Sequence, residues 1–195
     1  MPMSYDPVTH LLLTPEDADA PRRVERLREL GVGREPRPEF DAFARRLAAA
    51  CGAPFAMVNL IDGRGQYFAG LYTPETDRPP TPGNDGGTGP GRVMDLDHGY
   101  CPHVVVRRRA LVLEDVRDYS RFAGNPVVDA LGIRAYMGAP ITDHSGMALG
   151  TVCVMAREPM SWGRRGLETI KAMAAEMAVT LRGEPRPAGS ATAGH

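Results

Sequence analysis

The strongest constraint on this chain is a pair of β-hairpins written far apart in the sequence. Residues 54–61 and 66–72 change to a period of two and are joined by Asp62-Gly63-Arg64-Gly65. Residues 133–142 and 147–156 repeat the arrangement around Asp143-His144-Ser145-Gly146. Asp and Gly at the join supply the positive φ that short hairpin turns need. The first strand is apolar on both faces except at Asn59, so its sheet should be covered on two sides.

Helical patterns bracket the hairpins. Val24, Leu27 and Leu30 line one face of residues 21–32, with Gly31 where a helix stop belongs. Phe40, Phe43, Ala44, Leu47 and Cys51 line residues 38–51, which Pro38 opens and Gly52 closes. Ser161 can cap a long helix running to about residue 182, with Leu167, Ile170, Ala174, Met177 and Leu181 on one stripe. Between the hairpins, residues 101–109 read as a short helix and residues 111–113 as a buried strand. Asn125-Pro126 then starts a helix that Gly132 stops. This order predicts a mixed α/β (α+β) domain, a central antiparallel sheet flanked by helices.

The length of 195 residues suits one domain, expected over 21–183. A flexible segment is expected at 1–20 and a disordered tail at 184–195. Residues 73–99, rich in Pro, Gly, Asp and Thr, are expected to form a flexible loop. With 43% hydrophobic and 24% charged residues, the chain can bury a core without staples. A net charge of -1 leaves no field to hold a polyanion, so nucleic acid is excluded as a default partner. No stretch approaches the roughly 18 unbroken apolar residues of a membrane span. Three cysteines at wide spacings argue for free thiols, a reducing compartment and a cytoplasmic location. Lys171 is the only lysine among 23 basic residues, a codon bias of GC-rich bacterial genomes.

Several segments, in order and spacing, resemble the GAF domain family. Residues 118–126, Asp-Tyr-Ser-Arg-Phe-Ala-Gly-Asn-Pro, followed by Ile133 to Ile141 and Gly146 to Val154, are similar to the second half of a bacterial GAF domain. Phe40 to Ala44, Val58 to Asp62 and the Tyr100-Cys101-Pro102-His103 segment fit the first half, so the resemblance covers about residues 22–182. It implies a PAS-like fold with a ligand cavity on one sheet face and dimer-forming helices on the other. It also implies a regulatory sensor, with an unknown small molecule as ligand and a separate effector such as a kinase or regulator as partner. The helices at 38–51 and 161–182, with 21–31 as a possible addition, would build a homodimer if the five-position apolar stripe asks for a second surface; the alternative is that the stripe packs only on the sheet.

The candidate ligand-binding residues are Asn59, Cys101, His103, Asp118, Arg121 and Tyr136. Asn59 falls on an apolar face, where a buried amide must find a partner. Arg121, beside Asp118 and ahead of the Asn125-Pro126 helix start, could clamp a carboxylate or phosphate, or pair with Asp118 to fix the turn. Cys101 with His98 and His103 is the one cluster of catalytic type, since a thiolate beside an imidazole is how nucleophilic cysteines are made, and of the two histidines His103 is the candidate partner. The alternative activity is therefore a thiol-based redox enzyme or sensor, like the free methionine-R-sulfoxide reductases among GAF proteins. Against it, Cys101 also suits a small buried hydrophobe. No metal site is expected, because four ligands at zinc spacings are missing, and no cofactor is assigned.

Overall fold

The computed structural model describes residues 14–73 and 91–183. Its centre is a six-stranded antiparallel sheet in the order β3-β2-β1-β6-β5-β4. The first hairpin is β1 (Phe55–Asp62) and β2 (Gly65–Tyr72), and the second is β5 (Ala135–Thr142) and β6 (Ala148–Ala156). The two meet along β1 and β6, with Met57 opposite Cys153 and Asn59 opposite Thr151. Short strands β3 (Val93–Met94) and β4 (Leu111–Leu113) close the edges.

Alternation sends the odd and even residues of β1 into two separate cores. Ala56, Val58 and Leu60 pack with α1 (Ala20–Glu29), α2 (Pro38–Cys51) and α6 (Gly163–Leu181). Phe55, Met57 and Ile61 pack under α3 (Cys101–Arg107), a 3₁₀ turn at Val116–Asp118, α4 (Ser120–Ala123) and α5 (Pro126–Leu131). All five apolar positions expected on α2 are buried, and Gly52 ends the helix with φ 61. At Gly70 a Cβ would overlap the Phe40 carbonyl, so glycine is what lets α2 lie directly on β2.

One expectation is corrected, at the start of α6. Ser161 does not cap α6: Trp162 precedes the helix without a side-chain cap, and the Glu114 carboxylate accepts the Gly163 N–H at 3.1 Å. Ile170, Ala174, Met177 and Leu181 are buried against the chain's own sheet, so most of the stripe needs no second copy to cover it. Two segments expected to be loose are packed where they are described. Residues 14–19 hold a buried Pro15 and an Asp17–Arg23 ion pair of 2.6 Å, and Thr14 donates to the Leu96 carbonyl. Residues 91–99 contribute β3 and a buried Arg92, while residues 74–90 of the expected loop lie outside the described residues, as do 1–13 and 184–195. No helix of the described residues is long and apolar enough to cross a membrane.

Candidate functional site

Cys101 opens α3 with its thiol pointed at the sheet. Its Sγ lies 3.3 Å from the Tyr136 hydroxyl and 3.5 Å from Cys153 Sγ. The α3 start is held by one side chain: Asn125 accepts the Gly99 N–H at 2.8 Å, donates to the Gly99 carbonyl at 2.9 Å, and also caps α5 through Val127 N–H. Tyr136 reaches sideways along β5 because Gly138 has no Cβ, and a methyl there would overlap the tyrosine hydroxyl.

Around the two thiols sits a buried polar group set. Asn59 and Thr151 are both fully buried, and they are cross-strand partners. Asn59 Nδ2 donates to Gln66 Oε1 at 2.8 Å, and Gln66 in turn donates to the Asp95 and His98 carbonyls. Asn59 Oδ1 and Thr151 Oγ1 have no hydrogen-bond partner. Burial works to raise the Cys101 thiol, but the polar groups of Cys153, Thr151, Tyr136 and Asn59 gathered around the sulfur would stabilise its ionised form, and they outweigh burial and lower it. Cys153 is pushed the other way by Cys101 and by burial, so Cys101 is the acidic member of the pair. Thr151, Cys153 and Gln66 belong to the site without any local sequence signal for it. The period of two in residues 147–156 places Thr151 and Cys153 on one face, but only the β1–β6 register brings them to Asn59 and Cys101.

Aromatic side chains pack together where the cavity between Cys101, His103, Asn59 and Tyr136 is expected. The Tyr100 ring lies edge-on to Phe122 at 5.6 Å and 5.1 Å from Tyr136, and Tyr100 and Tyr136 are wholly buried. His103 does not join Cys101. Two residues along a helix do not share a face, and His103 packs edge-on against Phe122 at 5.2 Å, on the wall of a separate groove with Arg121. Burial, and after it the charges of Arg121 and Arg107, hold its imidazole down to about 4, so it is neutral at pH 7. Asp118 is exposed on the 3₁₀ turn, and no ion pair joins it to Arg121. The carboxylate that fixes this turn is Asp115, paired with Arg134 and accepting the Arg117 N–H. The six candidates thus divide into a buried set (Asn59, Cys101, Tyr136), a groove set (His103, Arg121) and an isolated Asp118.

The family model for the GAF domain matches residues 35–181. The chain belongs to the GAF domain family. It is 29% identical over 149 residues to a cyclic di-GMP phosphodiesterase of Pseudomonas aeruginosa, a match that takes in 74% of this chain but only 22% of that protein. Among solved structures it is similar to the GAF domain of an Acinetobacter phosphoenolpyruvate-protein phosphotransferase, with 13% identity, a TM-score of 0.55 and coverage of 85% of this chain and 94% of that one. It is similar to the same degree to a type II free methionine-R-sulfoxide reductase from Thermoplasma acidophilum, at 13% identity and a TM-score of 0.55 over 75% of this chain and 92% of that one. At such identities the likeness establishes the GAF fold, a sheet with helices on both faces, and the relatives include sensors and signalling proteins.

Proposed function

We propose that this GAF domain is a sensory module that takes up a small molecule on the α3 side of its sheet and passes the change to an effector protein. One observation carries the reading: Asn59 Oδ1 and Thr151 Oγ1, neighbours across β1 and β6, are buried with no hydrogen-bond partner. An unmet buried polar atom costs about 1–3 kcal/mol, and a ligand bearing an N–H or O–H group would recover that cost. Tyr100, Phe122 and Tyr136 must part to admit it, which gives the domain a closed and an open form for an effector to distinguish. The effector is a regulator or kinase acting on the same or another chain, and a second copy of the domain is a candidate partner. Native mass spectrometry of freshly purified protein tests the reading. A retained small molecule that disappears in N59A/T151V supports it, and a ligand retained equally by both proteins, or by neither, counts against it.

The second reading, a thiol-based redox sensor, is favoured by the 3.5 Å approach of Cys101 and Cys153. A Cys101 thiolate would attack a hydroperoxide oxygen to give a sulfenic acid and release hydroxide or an alkoxide, which takes a proton from water. The Cys153 thiol would then displace the sulfenic oxygen as water and leave a disulfide. Peroxide treatment followed by thiol counting distinguishes the two readings: loss of two thiols in wild type but not in C153S selects the sensor of oxidants. Turnover of free methionine-R-sulfoxide by wild type but not by C101S would make the domain an enzyme.

A further inference from the structure

A second polar concavity lies away from the sheet, between residues 14–19, α3 and α4. Its volume of about 390 Å³ falls in the roughly 300–1,000 Å³ range of small-molecule sites. Pro15 and Val106 give it apolar wall, and His103, Arg107 and Arg121 give it nitrogen donors. The groups on this wall are not matched to one another. His103 is only 5% exposed, and its imidazole makes no hydrogen bond among the described residues. Arg121 stacks over the Phe122 ring at 5.1 Å, and its Nε is buried without a partner.

Charge in the groove is only partly compensated: Glu16, Asp17 and Asp19 line it beside Arg107, Arg108 and Arg121. The nearby carboxylates are engaged elsewhere: Asp17 holds Arg23 at 2.6 Å, and Asp19 holds Arg108 at 2.6 Å. Among the described residues no ion pair reaches Arg107 or Arg121, and Glu16 is the one wall carboxylate left unpaired. Two guanidiniums thus share the groove wall with one exposed, unpaired acid. Arg121 feels its neighbour: burial, and after it the charge of Arg107, lowers the pKa of the Arg121 guanidinium. An arrangement of like charges around a cavity is stabilised by an anion placed between them.

We infer that this groove binds a small organic anion, whose carboxylate or phosphate group is held by the Arg121 guanidinium and the His103 N–H, with Arg107 at the rim. The guanidinium offers a planar fork of donors that fits either group. A neutral imidazole keeps one N–H to donate, and Pro15 and Val106 meet the apolar body of the ligand. The site shares no side chain with the Asn59–Thr151 face, so either can fail without the other.

An NMR titration in chloride buffer at low ionic strength tests this, with inorganic phosphate and acetate as separate probes. The His103 ring protons and the Arg121 Nε–H are expected to shift saturably with at least one probe. The bound anion should also raise the His103 titration midpoint, because it offsets the repulsion from both arginines. R121Q should weaken binding about 10- to 100-fold, the span expected for a charge-assisted hydrogen bond. E16Q should tighten it and R107Q should loosen it. Both of those positions are exposed, so the two variants decide the matter if R121Q disturbs the fold. Absent shifts at His103 with both probes, or affinities unmoved by all three substitutions, would overturn the proposal.

Discussion

Arg92 and Asp41 lock the far edge of the sheet to α2. The Arg92 guanidinium donates to both carboxylate oxygens of Asp41, at 2.8 and 3.0 Å, and to the Phe68 carbonyl at 3.0 Å. The same carboxylate accepts the Leu71 N–H at 2.8 Å. Arg92 is 4% exposed, so removing Asp41 strands a buried cation. D41A is expected to lose about 2–3 kcal/mol, somewhat below the roughly 3–5 kcal/mol of fully buried pairs because Asp41 is partly open to water. Urea denaturation measures this, and D41A/R92M should recover part of the loss. A D41A protein as stable as wild type would mean that the pair contributes nothing.

His103 makes the domain sensitive to acid. Burial, with Arg121 and Arg107, lowers its pKa to about 4 from the ordinary 6.5. A depressed pKa means that the unfolded chain takes up the proton first. The stabilising contribution is therefore complete above pH 6.5 and is lost as pH falls through 4, by about 3 kcal/mol in all. H103N should flatten that part of the stability profile. An identical profile in both proteins would assign the acid slope to other groups.

Met177 separates a core from an interface. It is wholly buried within one chain, so M177E is expected to destabilise the fold by at least about 3 kcal/mol, as an uncompensated buried charge does. Calorimetry and light scattering together check it. If M177E keeps its melting temperature while a wild-type dimer falls apart, the α6 seam is an interface after all.

How far the sequence reads correctly depends on the range of the interaction that decides each feature. Both hairpins, the α2 face and the Asn125 cap depend on neighbours a few residues away, and they were legible. The Glu114 cap on α6 joins residues far apart in sequence, and no local pattern announces it. Arg92 lies in a stretch whose composition reads as loop, yet one ion pair and the β2–β3 bonds order it. At the site, alternation identified Asn59 as an oddity. The thiol contact of Cys101 with Cys153 needed the register of strands from opposite halves of the chain. The Cys-x-His spacing points to His103 as a partner for Cys101, but helical rotation turns it away from the thiol to pack on Phe122.

The pairing of β1 with β6 also governs how the protein comes into being. Each hairpin is a local structure that a nascent chain can form soon after its turn is synthesised, but the seam between them waits until β6 is complete. Until then β1 and β6 each present an apolar strand edge with open hydrogen-bonding groups, the form most prone to join another chain. Contacts of such long sequence separation slow folding. A polypeptide ending before residue 148 would thus retain β1 as a permanently sticky edge, and truncation in the second hairpin should yield aggregates in place of a smaller soluble domain.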